Sequence, residues 1–199
     1  MSALRVLYKD DDLLVIDKDA GRVTEGQDTS LENEVQVAFD MRARALHRLD
    51  RGTSGVLAFS LRRLHHAAFV ELWEKRRVQK TYWAWVEGRW PDALKTLGGS
   101  DADGREMQTN VKILKHHDGR SFLELSPKTG RRHQLRIQCA NEGHPIIGDT
   151  RYGGKTDASL GESFALHARA LEFVHPLSKM SLRFEAAAPA SWKNFEETL

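Results

Sequence analysis

His47-Arg48-Leu49-Asp50-Arg51-Gly52-Thr53-Ser54-Gly55 runs without interruption into Val56-Leu57-Ala58-Phe59-Ser60. This junction decides the architecture. The apolar run has the length and composition of a buried strand. A loop so dense in polar side chains is costly to order beside it unless those groups are used. A simpler account serves the loop alone: Asp50 would bond the Thr53 and Ser54 amides in an Asx turn, with Arg48 and Arg51 solvated. Outward toward the N-terminus, Leu4–Tyr8 and Leu13–Asp17 are rich in Val, Leu and Ile and flank Asp10-Asp11-Asp12, which predicts two strands around an acidic turn. Ser30 ahead of Glu32, Glu34, Val35, Val37, Ala38 and Phe39 predicts a capped amphipathic helix.

Outward toward the C-terminus, Leu61–Arg77 sets Leu64, Ala67, Ala68, Val70, Leu72 and Trp73 among charged residues, as in an amphipathic helix with basic ends. Thr81–Glu87 is aromatic and β-prone. Gly98–Gly104 is loop-like, and Thr109–Leu114 and Ser121–Leu125 alternate as strands across Asp118-Gly119. Thr129 is expected to cap a helix over His133–Asn141 that Gly143 closes, and Tyr152–Ser163 is a surface loop. Phe164–Val174 and Met180–Phe184 form a last strand pair around His175-Pro176, before a short tail helix near Ser191–Glu197. About eight strands and three to four helices, interleaved without a βαβ rhythm, give a mixed α+β class. No repeat of a solenoid period is visible, and residues 1–199 read as a single domain.

Composition narrows the function classes. With 199 residues, 40% of them apolar, the chain can build a real core, which excludes intrinsic disorder. The 30 Lys+Arg nearly balance the 28 Asp+Glu, but unevenly along the chain. Residues 1–40 carry 4 basic and 10 acidic side chains, residues 41–140 carry 20 and 10, and residues 141–199 carry 6 and 8. The basic middle suits a polyanionic partner. One cysteine, Cys139, makes neither an intrachain disulfide nor a Cys-rich zinc site, so a reducing compartment, the cytoplasm, is expected. No stretch has the apolar length of a leader or a membrane span.

A second dense stretch is Thr129-Gly130-Arg131-Arg132-His133-Gln134-Leu135-Arg136, continuing to Gly143-His144-Pro145-Ile146-Ile147-Gly148-Asp149. On a helix Arg132 and Arg136 share a face, with His133 and Gln134 beside them, and suit a phosphate or an interior carboxylate. Taken alone, a solvated basic helix is the simpler account. Together, the two stretches resemble the RluA-type pseudouridine synthases. His47–Gly55 is similar to that family's HRLDxxTSG signature, and Leu13–Lys18 with Gly21 to its N-terminal Lys motif. Lys80-Thr81-Tyr82 resembles its K-x-Y strand, Gly130–Arg136 its G-R-x-H-Q-L-R segment, and Gly143–Asp149, Tyr152-Gly153, Leu166-His167-Ala168 and His175-Pro176 follow in order. So many motifs in the right order make coincidence a poor explanation. Asp19 stands where the family usually has Pro, Gln138 where His is common, and no S4-type extension precedes Leu4, so the core alone is expected to select the RNA.

The resemblance implies a mixed, largely antiparallel sheet with flanking helices and a central basic cleft. It implies isomerisation of uridine to pseudouridine in ribosomal RNA, transfer RNA or both. The reaction breaks N1–C1′, turns the uracil and joins C5 to C1′, so no metal or cofactor is required. It needs a carboxylate near the ribose, a partner that keeps it ionised, and a group that removes the C5 proton. By resemblance Asp50 is the carboxylate, Arg136 its cationic partner and Tyr82 the group that stacks on the base and receives the proton. Arg48 resembles the residue that fills the space left by a flipped base. His47, Arg51, Thr53, Lys80, Arg131, Arg132, His133 and Gln134 complete the expected RNA-binding set, on a monomer with no membrane partner. His65-His66 and His116-His117 lack the spacing of a zinc hydrolase, so no metal ligands are expected. Two rival readings are a non-catalytic RNA-binding module, against which Asp50, Tyr82 and Arg136 argue, and a ribonuclease using His47 and His133 as acid and base.

Overall fold

The structure, a computed structural model, describes residues 4–26 and 28–195. Its first hairpin is closed by Asp10, whose Oδ1 accepts the amides of Asp12 and Leu13 at 2.8 and 2.7 Å. This turn joins strand β1 (Arg5–Lys9) to β2 (Leu13–Lys18). Helix α1 (Leu31–Phe39) starts at Ser30, whose hydroxyl accepts the Asn33 amide as expected of an N-cap. There follow β3 (Arg44–Ala45), the wholly buried β4 (Ser54–Ser60), α2 (Arg63–Glu74), β5 (Gln79–Glu87), β6 (Thr96–Leu97), β7 (Thr109–His117) and β8 (Arg120–Pro127). Helix α3 (Gln134–Asn141), β9 (Leu166–Val174) and β10 (Ser181–Glu185) complete the regular elements. The class is α+β. Two of the ten strands among the described residues, β3 and β6, are two residues long, too short to show alternation in the sequence.

Contacts group the chain into two units, each with its own core: Met1–Lys80 with Ala168–Ala187, and Thr81–His167 with Ala188–Leu199. In the first, β1, β2, β4 and β9 follow one another across the sheet, with β3 on β4 and β10 on β9. The pairs β1–β2, β2–β4, β3–β4 and β9–β10 are antiparallel. Leu13, Val15, Val56 and Ala58 meet Phe69 and Leu72 of α2, and Leu171, Phe173 and Phe184, in its core. Gly55 lets the polar loop enter β4, because a Cβ there would lie 2.2 Å from the Ala168 carbonyl oxygen.

The second unit orders its strands β5, β8, β7, β6, each pair antiparallel. Asp118 and Gly119 take φ of 47° and 68°, the left-handed pair that a tight β7–β8 hairpin demands. Ala84, Trp85 and Val86 of β5 pack with Leu123, Leu135, Ile146, Ile147 and Trp192.

Three helix expectations are corrected. Helix α2 is shorter than Leu61–Arg77: it ends at Glu74, and Arg76 turns left-handed at φ 54°. Helix α3 is not capped by Thr129. His133 occupies the cap in a left-handed conformation (φ 56°), while Thr129 donates its hydroxyl proton to Gln134 Oε1 at 2.7 Å. The tail forms a 3₁₀ segment over Ala190–Phe195, and Glu196 and Glu197 of the expected tail helix lie outside the described residues.

Candidate active site

In the first unit, the loop ahead of β4 is built around Asp50 and Lys18. The Thr53 amide donates to the Asp50 main-chain carbonyl at 3.0 Å, so a β-turn holds this corner. Gly21 and Arg51 bond reciprocally: the Gly21 amide donates to the Arg51 carbonyl (2.7 Å) and Arg51 Nε to the Gly21 carbonyl (3.0 Å). Lys18, only 1% exposed, sends Nζ to the carbonyls of Asp19 (3.0 Å), Arg51 (3.2 Å) and Thr53 (2.6 Å). An ammonium has three protons, and all three are used on the loop. Burial pushes the Lys18 ammonium down to about 7, while the carboxylates of Asp19 and Asp50 act in the opposite sense. Lys18 therefore holds the Asp50 turn and places positive charge within its reach. The missing Pro at position 19 is harmless to this anchor, because the bond uses a main-chain carbonyl; the Asp19 carboxylate pairs with Arg5 at 2.7 Å.

Lys18→Met is expected to destabilise the protein by about 3 kcal/mol or more, because three carbonyls lose a buried donor. The penalty for burying the Lys18 charge is full below pH 7 and is relieved between pH 7 and 10.5, where the unfolded chain alone keeps the proton. Wild-type stability relative to Lys18→Met should therefore rise with pH across that window. Urea titrations at several pH values check both the size and the slope.

The remaining predicted residues of this unit divide into buried and exposed groups. His47 stacks on Trp73 at 5.6 Å between ring centroids, and its Nε2 accepts the Ala58 amide at 3.2 Å. Burial, with Lys80 adding to it, pushes the His47 imidazolium down to about 3. A ring neutral at physiological pH, with one nitrogen already occupied, is a poor acid, which counts against the ribonuclease reading. Thr53 is 2% exposed, and Thr24 locks the other end of the loop by reciprocal bonds between its hydroxyl and the Leu49 amide and carbonyl. Arg48, 74% exposed, touches Glu25 at 3.1 Å, and Arg51 is exposed. Lys80 is half-buried, and burial together with Arg76 lowers its ammonium from the ordinary lysine range.

In the second unit, Arg136 leaves α3 toward the turn after Ile147. Its Nε and Nη2 donate to Asp149 Oδ2 and Oδ1 at 2.6 and 2.8 Å, a bidentate pair. The guanidinium carbon lies 4.3 Å from the Phe164 ring centroid and 5.0 Å from that of Tyr152. His133 Nδ1 and the Tyr152 hydroxyl are 2.8 Å apart. Gln134 is buried and spends its amide internally: Oε1 accepts from Thr129 and the Arg131 amide, and Nε2 donates to Thr109 Oγ1 and the Gln108 carbonyl. Gln138, where the resembled family has His, accepts from the Thr109 hydroxyl at 2.7 Å and donates to the Leu97 and Gly98 carbonyls. A carboxamide supplies this acceptor and both donors together; an imidazole has one nitrogen too few. Arg132 is exposed, Arg131 Nε reaches the Glu106 carbonyl at 3.3 Å, and Tyr82 is half-buried on β5 opposite Leu125. Asp50 thus belongs to the first unit and Tyr82 and Arg136 to the second. Asp149 and Lys18 were missing from the expected site, although both stand inside quoted motifs. Among the described residues, no three His, Cys, Asp or Glu side chains gather as metal ligands.

The sequence matches the family model of RNA pseudouridylate synthase over residues 6–141. The chain belongs to this family. It is 33% identical over 219 residues to the uncharacterized RNA pseudouridine synthase YhcT of Bacillus subtilis (strain 168), an alignment covering 98% of this chain and 72% of that protein. It is 35% identical to ribosomal large subunit pseudouridine synthase D of Xanthomonas campestris pv. campestris, over 94% of this chain and 66% of that protein. Among solved structures, human RNA pseudouridylate synthase domain containing 1 superposes with a TM-score of 0.77 at 27% identity, over 94% of this chain and 84% of that one. Human RNA pseudouridylate synthase domain containing 4, at 22% identity and a TM-score of 0.79, shares the fold over 96% and 93% of the two chains. This pseudouridine synthase is accordingly an isomerase that acts on RNA. Among its described residues no helix is long and apolar enough to cross a membrane.

Proposed function

We propose that this pseudouridine synthase isomerises uridine in ribosomal RNA, transfer RNA or both, as one catalytic domain and a monomer, in the cytoplasm and without metal or cofactor. The observation that carries the reading is the Asp50 turn: a carboxylate on a loop that a buried ammonium pins through three main-chain carbonyls. Preorganisation of this kind is what a reacting carboxylate requires and what a solvated loop lacks. Asp50 is the carboxylate at the ribose, Arg136 its cationic partner, and Tyr82 receives the C5 proton. His47, Thr53 and Gln134 contribute to RNA binding by shaping the loops on which they are buried or anchored. Arg51, Lys80, Arg131, Arg132 and His133 contribute charge and polar contacts to the RNA backbone. The decisive experiment incubates the purified protein, after exhaustive chelation, with ribosomal and transfer RNA lacking modifications and maps pseudouridine. Site-specific pseudouridine at unchanged chain length is expected; shortened RNA, or a requirement for added zinc or magnesium, would overturn the reading.

A uridine inside folded RNA must leave its stack first, at a cost of a few kcal/mol. Arg48, exposed and two residues before Asp50, is the side chain we assign to the vacated space. Arg48→Ala should therefore slow modification of folded RNA at least ~10-fold more than of an unstructured oligonucleotide with the same uridine, since only the former is unstacked. Single-turnover rates on the two substrates make the comparison, and equal losses would assign Arg48 to chemistry instead.

A further inference from the structure

We propose that Asp149 is a positioning residue for catalysis: it fixes the plane and direction of the Arg136 guanidinium. The inference rests on the reading of Arg136 as the cation of the reaction. Both carboxylate oxygens are committed to Arg136, and the two side chains are 2% and 7% exposed. A buried ion pair is a poor device for stability, because desolvation offsets the Coulombic gain and well-packed apolar residues do as well. Its strength is geometric, since a bidentate pair fixes the guanidinium in its plane. Phe164 and Tyr152 add aromatic faces to the same group, and the contact between His133 Nδ1 and the Tyr152 hydroxyl fixes the second ring.

The segment that carries Asp149 is rigid for reasons of its own. The Asp149 amide donates to the Ile146 carbonyl at 3.0 Å, and its carbonyl accepts the amides of Tyr152 (3.0 Å) and Gly154 (2.9 Å). Gly154 has no alternative, because a Cβ there would lie 2.1 Å from the Ile146 carbonyl oxygen and 2.9 Å from the Asp149 amide nitrogen. Ile147 ties the turn to β5 through its amide and the Trp85 carbonyl at 3.0 Å, and to Ala165 through its own carbonyl at 2.8 Å. With Nε and Nη2 held on this turn, the orientation of Nη1 is set by Asp149 and not by the flexible arginine chain. His133, left-handed at the start of α3, adds a constraint from the helix side.

The test is a double-mutant cycle on the full-length protein, read as kcat, KM for RNA and melting temperature. Asp149→Asn keeps the shape but loses one acceptor and the charge. Its kcat is expected to fall about 30-fold at a KM within threefold of wild type, the signature of misplacement and not of lost binding. In an Arg136→Lys background, where no fork remains to be oriented, the same substitution should cost less than about threefold more. An equal loss in both backgrounds, or a kcat loss that merely follows the folded fraction, would overturn the positioning role. Impaired Arg136→Lys beside an Asp149→Asn variant of wild-type kcat would overturn it too, leaving Arg136 in place. Wild-type kcat in Arg136→Lys would instead overturn the reading of Arg136. Should Asp149→Asn fail to fold, Asp149→Glu decides: it retains the charge one methylene out of place, and kcat about 10-fold down at unchanged KM is expected, whereas wild-type kcat refutes the proposal.

Discussion

Asp50→Asn is expected to leave less than about 1% of wild-type pseudouridine formation, since an amide of the same outline cannot serve as the reacting carboxylate and a lost nucleophile or base costs at least 100-fold. The fold should survive. The turn that carries residue 50 is held by its main-chain carbonyl, by the reciprocal bonds of Gly21 and Arg51, and by Lys18 on the carbonyls of residues 19, 51 and 53. None of these uses the Asp50 side chain. RNA affinity should likewise hold within a few fold, because phosphate contacts come from other residues. One physical trace of the missing charge is also expected. Asp50 is among the carboxylates that favour the charged form of Lys18, so its removal should move the Lys18 ammonium further down. Quantified pseudouridine after extended incubation, together with an RNA-binding titration, measures the first two quantities. Turnover of more than a few per cent by a purified variant free of wild-type enzyme would remove Asp50 from the chemistry.

Local rules were legible wherever one short stretch contains its own cause. Ser30 caps α1 and Asp10 closes the first hairpin with its own carboxylate, each from a side chain within three residues of the bond it makes, and the left-handed backbone of Asp118-Gly119 turns β7 into β8. The strand Val56–Ser60 and its polar approach were legible for the same reason, although β4 begins two residues earlier, where Gly55 passes the Ala168 carbonyl. Long-range causes were not. Nothing local says that Lys18, on an apolar strand, reaches residues 51 and 53, or that Asp149 receives Arg136. The expected Thr129 cap failed because Gln134, buried beside it, competes for its hydroxyl, and His133 ends the approach in a left-handed turn that a non-glycine residue rarely takes. Exposure was equally hidden. Thr53 and Gln134 look like polar surface in the sequence but lie inside, making bonds that order the loops around Asp50 and Arg136. Residue types carried the resemblance, and the contacts that hold those residues required the tertiary structure.

Tyr82→Phe divides the reaction into its two halves. A group that removes the C5 proton acts only after the glycosidic bond has broken and the base has turned. Phenylalanine keeps the ring on β5 and deletes the one oxygen able to accept that proton, so RNA binding should change little while pseudouridine release falls at least ~100-fold, the loss typical of a missing general base. The backbone of residue 82 pairs with Leu125, and the variant keeps the half-buried ring. RNA carrying 5-fluorouridine supplies the control. Its C5 bears fluorine and no proton at the step assigned to Tyr82, so wild type and Tyr82→Phe should rearrange the fluorinated base to the same product at similar rates, followed by mass analysis of digested RNA. A variant that fails equally on fluorinated RNA would show Tyr82 to be needed for placing the base or cleaving N1–C1′. The proton would then have to leave to another acceptor, and the division of labour between Asp50 and Tyr82 would be wrong.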